Sequence, residues 1–278
     1  MDQRSRRAGS AVTGINKHIS TRLGTLAVAD SGHGAGAPVV LWPSLFSDHR
    51  LYRHVAELLG TGRRTISVDG PGFGQSTPPD GDVQPDRYAG AVVDLLDELG
   101  IETAVLAGCS WGGQVAAHTG VQYPRRTAAV LMMNTPLEPS LGGHRFQVLG
   151  TRALGSTTFW GRGVARSMIA APTKQAHPER VDAFVSAFAS FDRAAATATV
   201  RTVLTRSPGL ADVLPKLEVP TTILMGAQDA LYPVDAAMPL ARQAPGATIE
   251  VVPNCGHLAP LEAPEAVVAA LDSLAGRG

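Results

Sequence analysis

Cysteine is scarce in this chain of 278 residues: there are two, Cys109 and Cys255. That excludes a disulfide framework, and each thiol is expected to act as small apolar packing rather than in redox chemistry. Neither sign of charge is in excess, with 24 Lys and Arg against 24 Asp and Glu and a formal net charge of zero. No nucleic acid is therefore expected as a partner. No apolar run approaches the ~20 residues needed to span a bilayer, so no membrane is expected either. The leading Met1-Asp2-Gln3-Arg4-Ser5-Arg6-Arg7 has no apolar h-region. Residues 1–14 are expected to be disordered or loosely attached, and the protein cytoplasmic. The eight His residues form no H-x-x-x-H pair and no Cys/His cluster of zinc spacing, which implies no metal. Gly70-Pro71-Gly72-Phe73-Gly74 lacks the Lys-Ser/Thr ending of a phosphate loop and the spacing of a dinucleotide fingerprint. It reads as a tight turn after a strand, and no cofactor is expected.

What is present is chemistry of another kind. The hydrophobic content of 44% can fill a large core, and α/β folds of this length are common. Gly108-Cys109-Ser110-Trp111-Gly112-Gly113 follows the apolar run Thr103-Ala104-Val105-Leu106-Ala107. It precedes the helical pattern Gln114-Val115-Ala116-Ala117-His118. Strand, Gly-x-Ser-x-Gly, helix is the context that gives the motif meaning. So sharp a turn strains the backbone of the central Ser and needs small residues two before and two after, which Gly108 and Gly112 supply. Ser110 is thereby lifted clear of the sheet, beside the positive end of a helix. A chance occurrence in a chain with 30 Gly is the bland alternative, and the flanking pattern argues against it.

A nucleophilic Ser needs a base, and the base an orienting acid; in this architecture the chain order is Ser, acid, His. Val219–Gly226 reads as a buried strand with Asp229 just past its end. Ala247–Val252 reads as the next, with His257 following. Both candidates thus lie at carboxyl ends of strands, on the sheet edge where open α/β sheets bind ligands. Each alone could be a turn or loop residue; the pair in the required order is harder to dismiss. The strand Ala128–Met133 ends in Asn134. An amide there cannot stabilise an imidazolium as a carboxylate does, and Glu138, a few residues on, is the only nearby substitute, so Asp229 is the better acid.

At this point the chain resembles the α/β-hydrolase superfamily over nearly its whole length. Four segments carry the likeness: Val39–Leu45, Asp69–Ser76 (D-x-P-G-F-G-x-S), Gly108–Gly113, and Gly256–Pro264 (G-H-x-x-P-x-E-x-P). Where most relatives have His-Gly, this chain has Pro43-Ser44, closer to the Ser-Leu-Gly variant of enol-lactonase relatives. By that resemblance the oxyanion donors are the N–H groups of Trp111 and Leu45, with Ser44 the alternative to Leu45. Pro43 has no N–H to give. The implied branch is a capped esterase, an enol-lactonase-like or a C–C hydrolase-like protein. The motifs are specific for the fold and weakly specific for substrate.

The expected fold is α/β: a mainly parallel sheet with helices on both faces and an inserted helical cap. The core would occupy 15–135 and 215–278, and the cap 136–214. Lys17–Ala29 reads as two edge strands, Asp48–Leu59 as a helix, Thr65–Val68 as a strand and Gln84–Leu99 as a helix. Phe159, Trp160, Met168, Phe184 and Phe188 could form an apolar lid, against the plainer reading of packing between cap and core. Arg145, Arg152, Arg162 and Arg166 could clamp a carboxylate, against the plainer reading of solvated helix faces. Phe46, Trp160, Leu231 and Leu258 are candidate pocket residues. The expected function is hydrolysis of a small or medium carboxylic ester or lactone through an acyl-enzyme on Ser110, His257 and Asp229. The substrate would be apolar or weakly acidic, and a homodimer is left open. The alternatives are C–C bond hydrolysis of a dienoate or diketone, other reactions on the same triad, or a non-hydrolytic ligand-binding or cyclase role.

Overall fold

The computed structural model describes residues 14–79, 81, 83–139 and 145–276, without the side chains of Arg145 and Phe146. Most of the expected N-terminal lead therefore lies outside the described residues. The chain opens with β1 (Lys17–Thr21) and β2 (Gly24–Asp30), then β3 (Val39–Trp42). Asp48 caps a 3-10 turn over His49–Tyr52 by accepting from the Arg50 N–H, and α1 (Arg53–Leu59) continues it. The single helix expected from Asp48 is thus two segments. The side-chain cap tightens the first turn before α-helical bonding begins.

Next come β4 (Thr65–Val68), α2 (Pro85–Glu98), β5 (Ala104–Cys109), α3 (Trp111–Gln122) and β6 (Thr127–Met133). Five helices follow: α4 (Arg145–Leu154), α5 (Thr158–Met168), α6 (Ala171–Ala176), α7 (Pro178–Ala189) and α8 (Arg193–Arg206). The chain closes with β7 (Thr221–Gly226), α9 (Val234–Ala241), β8 (Thr248–Val252), α10 (Ala259–Glu262) and α11 (Pro264–Ala275).

The eight strands form one sheet in the order β1-β2-β4-β3-β5-β6-β7-β8. β2 runs antiparallel to both its neighbours, and from β4 to β8 every pairing is parallel. Strands β3 to β7 are buried at every position but one, as strands covered on both faces must be. The packed pairs α2–α3 and α1–α11 provide that cover. Strand order reverses direction beside β3, so β5 lies near the middle of the sheet and its carboxyl end opens onto the crevice such sheets form.

Helices α4 to α8 make the cap, inserted between β6 and β7. Its entry and exit are joined where the Leu210 N–H donates to the Leu137 carbonyl at 2.8 Å. Gln114 of α3 binds both: its Nε2 donates to the Pro136 carbonyl at 2.9 Å and to Ser207 Oγ at 3.0 Å. No described helix is long and apolar enough to cross a membrane.

Candidate active site

β5 runs through Cys109 and α3 starts at Trp111, which leaves one residue for the reversal. Ser110 takes it, with φ 55° and ψ −118°. Its N–H is anchored on the Met133 carbonyl at 2.7 Å. A Cβ on Gly108 would overlap the Gly112 carbonyl, and one on Gly112 would overlap the Trp42 carbonyl. The glycine spacing is therefore a requirement of this turn and not a compositional accident. Ser110 is 6% exposed, and Trp111 heads the helix, where N–H groups have no intrahelical partner.

Asp229 follows β7 and His257 follows β8. The two meet in the interior: His257 Nδ1 lies 2.8 Å from Asp229 Oδ2, with both side chains buried. Asp229 Oδ1 accepts from the N–H groups of Leu231 at 2.9 Å and Tyr232 at 3.1 Å. Burial pushes the Asp229 pKa up, but the facing His257 and these hydrogen bonds outweigh it, so the carboxyl group sits below its ordinary value. A charged carboxylate thus holds the ring nitrogen in its N–H tautomer.

Burial also pushes the Tyr232 phenol up to about 12, with the Asp229 charge adding to the effect. It raises the Cys109 and Cys255 thiols, helped by the charges of Asp229 and Glu262. Both thiols stay protonated, as packing residues should.

Two contributors escaped the sequence reading. Asn134, set aside as a poor acid, donates from Nδ2 to Asp229 Oδ2 at 3.1 Å and to the Gly256 carbonyl at 2.9 Å. Glu262 of α10 accepts from the Leu258 N–H at 3.0 Å, the Ala170 N–H at 2.8 Å and Thr173 Oγ1 at 3.0 Å. The His257 N–H itself donates to the Met168 carbonyl at 2.7 Å. The cap segment Met168–Thr173 is thereby fastened to the loop carrying His257. The only sequence signal for Glu262 was its place in the G-H-x-x-P-x-E-x-P segment.

The loop after β3 brings Ser44, Leu45 and Phe46 into the interior. Phe46 has φ 62°, a conformation glycine adopts freely and a residue with a Cβ rarely does. Its ring packs on Phe188 of α7 with centroids 5.7 Å apart. From there the aromatic run continues through Phe191 (6.0 Å) and Phe73 (5.1 Å) to Trp111 (6.2 Å). Phe73 and Phe191 were not among the residues picked from sequence. Leu231 is half-buried beside Asp229 and Leu258 is fully buried beside His257. Trp160 is half-buried and lies over Gly150 of α4.

Of the lid candidates, Met168, Phe184 and Phe188 are buried and Trp160 is half-buried, but Phe159 is not. Phe159 is 77% exposed, because it lies on the outer stripe of α5 with Arg162 and Arg166. Arg152, Arg162 and Arg166 are all exposed, and Arg162 faces Asp182 at 3.5 Å. The Arg145 side chain lies outside the described residues.

Asp69, the first residue of the D-x-P-G-F-G-x-S turn, is fully committed to the fold. It accepts from the His49 N–H at 2.9 Å and the Gln75 N–H at 2.8 Å, and pairs with His49 Nδ1 at 2.6 Å. Among the described residues, Asp48, His49 and Asp69 are close enough to share an ion. Their ligand atoms are already spent on one another, on Arg50 and on these N–H groups. The donor set thus reads as an internal network.

Ser110 thus turns between β5 and α3, and the buried Asp229–His257 pair comes from the ends of β7 and β8. A family model described as the alpha/beta hydrolase family matches residues 32–270. The chain belongs to that family. A 2-hydroxy-6-oxononadienedioate/2-hydroxy-6-oxononatrienedioate hydrolase from Pseudomonas sp. is 26% identical over 258 residues, covering 86% of this chain and 87% of the relative. The structure of a thermophilic esterase from Thermogutta terrifontis superposes with a TM-score of 0.84 at 27% identity, covering 94% of this chain and 98% of the other. The enol-lactonase from Burkholderia xenovorans LB400 also superposes with a TM-score of 0.84, at 20% identity, covering 93% and 99%.

Proposed function

We propose that this α/β hydrolase cleaves a carboxylic ester or lactone through an acyl-enzyme on Ser110. The observation that carries the reading is the buried 2.8 Å contact between His257 Nδ1 and Asp229 Oδ2, from the ends of β7 and β8 on the sheet edge that also carries Ser110. His257 takes the hydroxyl proton as Ser110 attacks the carbonyl carbon, and Asp229 stabilises the imidazolium. The N–H groups of Trp111 and Leu45 receive the oxyanion. The C–O bond breaks, His257 returns the proton to the leaving alcohol, and water activated by His257 then releases the acid. The aromatic run from Phe46 to Trp111 supports an apolar substrate. The likeness to an esterase structure at 27% identity points the same way.

A second reading, hydrolysis of a C–C bond in a dienoate, is favoured by the likeness to the oxononadienedioate hydrolase of Pseudomonas sp.. That chemistry calls for a cation to hold the substrate carboxylate, and Arg152, Arg162 and Arg166 face solvent. The ester reading therefore comes first.

The test is hydrolysis of a p-nitrophenyl ester series, acetate to decanoate, by wild type and Ser110→Ala. Turnover that falls by about 10³-fold or more in the variant supports the reading. Equal rates in the two proteins overturn it, and faster turnover of a carboxylated dienoate than of any ester moves the assignment to the second reading.

A further inference from the structure

We infer that Asn134 is a positioning residue for the Asp229–His257 pair, holding the carboxylate by the same oxygen that faces the base; this rests on the triad reading above. Asn134 ends β6 with φ 49°, a left-handed conformation that Asn tolerates better than most residues with a Cβ. The strand end thus turns its short side chain inward, between the loops after β7 and β8. Its two contacts, Asp229 Oδ2 at 3.1 Å and the Gly256 carbonyl at 2.9 Å, are both pure acceptors. The amide orientation follows, since only the NH₂ group can face them.

Asp229 therefore receives four donors. Oδ1 takes the N–H groups of Leu231 and Tyr232, and Oδ2 takes His257 Nδ1 and Asn134 Nδ2. Two consequences follow. The carboxylate cannot rotate about its Cβ–Cγ bond without breaking hydrogen bonds at both oxygens, so its direction toward the imidazole is set before substrate arrives. And the second NH₂ bond fixes Gly256, the residue that precedes the base, so acid and base loops are tied to one side chain. A neutral donor does this without adding charge. The Asn134→Asp change would set two carboxyl groups about 3 Å apart, which cannot both ionise freely and which would hold the imidazolium more strongly.

The other titratable groups by the pair are Tyr232, whose ring lies 5.4 Å from His257, and Cys109 and Cys255, with Glu262 beyond the thiols. The phenol and the thiols are pushed up by burial, and Glu262 is common to every variant. A change in pH response on altering position 134 is therefore carried by the new group.

The test compares wild type, Asn134→Leu and Asn134→Asp by pH–rate profile with the best p-nitrophenyl ester, by thermal unfolding, and by the NMR signal of the His257 Nδ1 proton without substrate. For Asn134→Leu we expect kcat to fall about tenfold to a hundredfold with KM changed by no more than about twofold, and the Nδ1 signal to broaden. For Asn134→Asp we expect the acid limb of the profile to move up by about one pH unit or more. Lower thermal stability with kcat, acid limb and Nδ1 signal unchanged would reduce Asn134 to a structural role and overturn the inference. Should Asn134→Leu fail to fold, the smaller Asn134→Ala is judged by the same kcat, KM and Nδ1 criteria. The NMR signal needs no turnover. A wild type inert toward esters whose Nδ1 signal still responds at position 134 would sink the esterase reading and keep the positioning role.

Discussion

A serine held at φ 55° sits against its own conformational preference, at a cost of order 1–3 kcal/mol that the surrounding packing must offset. The offset is visible in Gly108 and Gly112, whose missing side chains let β5 and α3 close on each other. Gly108→Ala should therefore lower stability and reduce the rate of Ser110 labelling by a fluorophosphonate, read by mass spectrometry beside thermal unfolding. Labelling and melting equal to wild type would refute this. Asp229→Asn is the complementary case. It preserves shape but replaces the acceptor facing His257 Nδ1, so the ring can settle in the wrong tautomer. A loss of about 10⁴-fold in kcat is expected, with substrate binding little changed. A loss below tenfold would show that Asp229 does not serve the base.

At the scale of elements, the cap divides into an outward and an inward part that one helix can share. On α5, Phe159, Arg162 and Arg166 face water, while Val164, Ala165 and Met168 are buried. Composition could not tell these apart. An aromatic in a helical pattern packs inward only if a neighbouring element closes over it, and among the described residues Phe159 has no such cover. Phe159→Ser is therefore expected to leave both thermal stability and ester KM within error of wild type. Phe188, buried against Phe46 and Phe191, belongs to the other class. Phe188→Ala should cost about 3–5 kcal/mol in urea unfolding and raise KM for the longer esters.

At the scale of the whole molecule, the sheet was largely legible in the sequence. Apolar runs bounded by Gly and Pro mark β3 to β8, and the order of Ser110, Asp229 and His257 along the chain anticipates the meeting of the last two in space. Less legible were contacts made by residues that look inert in a motif. Asn134 was judged by the charge an amide lacks, whereas in the fold its side chain donates. Asp69 looks like one more turn residue, yet it gathers three donors from two segments.

The opposite edge of the sheet carries its own electrostatics. Asp30 on β2 is buried, and burial pushes its pKa up, but Arg64 and Lys17 bind it at 2.8 Å and 2.6 Å and hold it well below the ordinary value. A depressed folded-state pKa contributes stability that is full above the unfolded carboxylate value, about 4, and is lost as pH falls below it. Asp30→Asn should thus destabilise the protein by about 2 kcal/mol near neutral pH and by progressively less below pH ~4. Urea unfolding at the two pH values reads the difference, and an equal deficit at both would contradict the linkage.

The fastening of Met168–Thr173 to Glu262 and to the backbone of His257 has a bearing on chimeras. A designer who grafts a foreign cap by cutting at the Leu137–Leu210 junction carries away the partners of Glu262 and leaves the loop bearing His257 to find new ones. Exchanging α4 alone keeps that seam intact and should preserve turnover. Exchanging α5 and α6 should abolish it unless α10 travels with them, so that the smallest transplantable unit for new specificity is discontinuous in sequence.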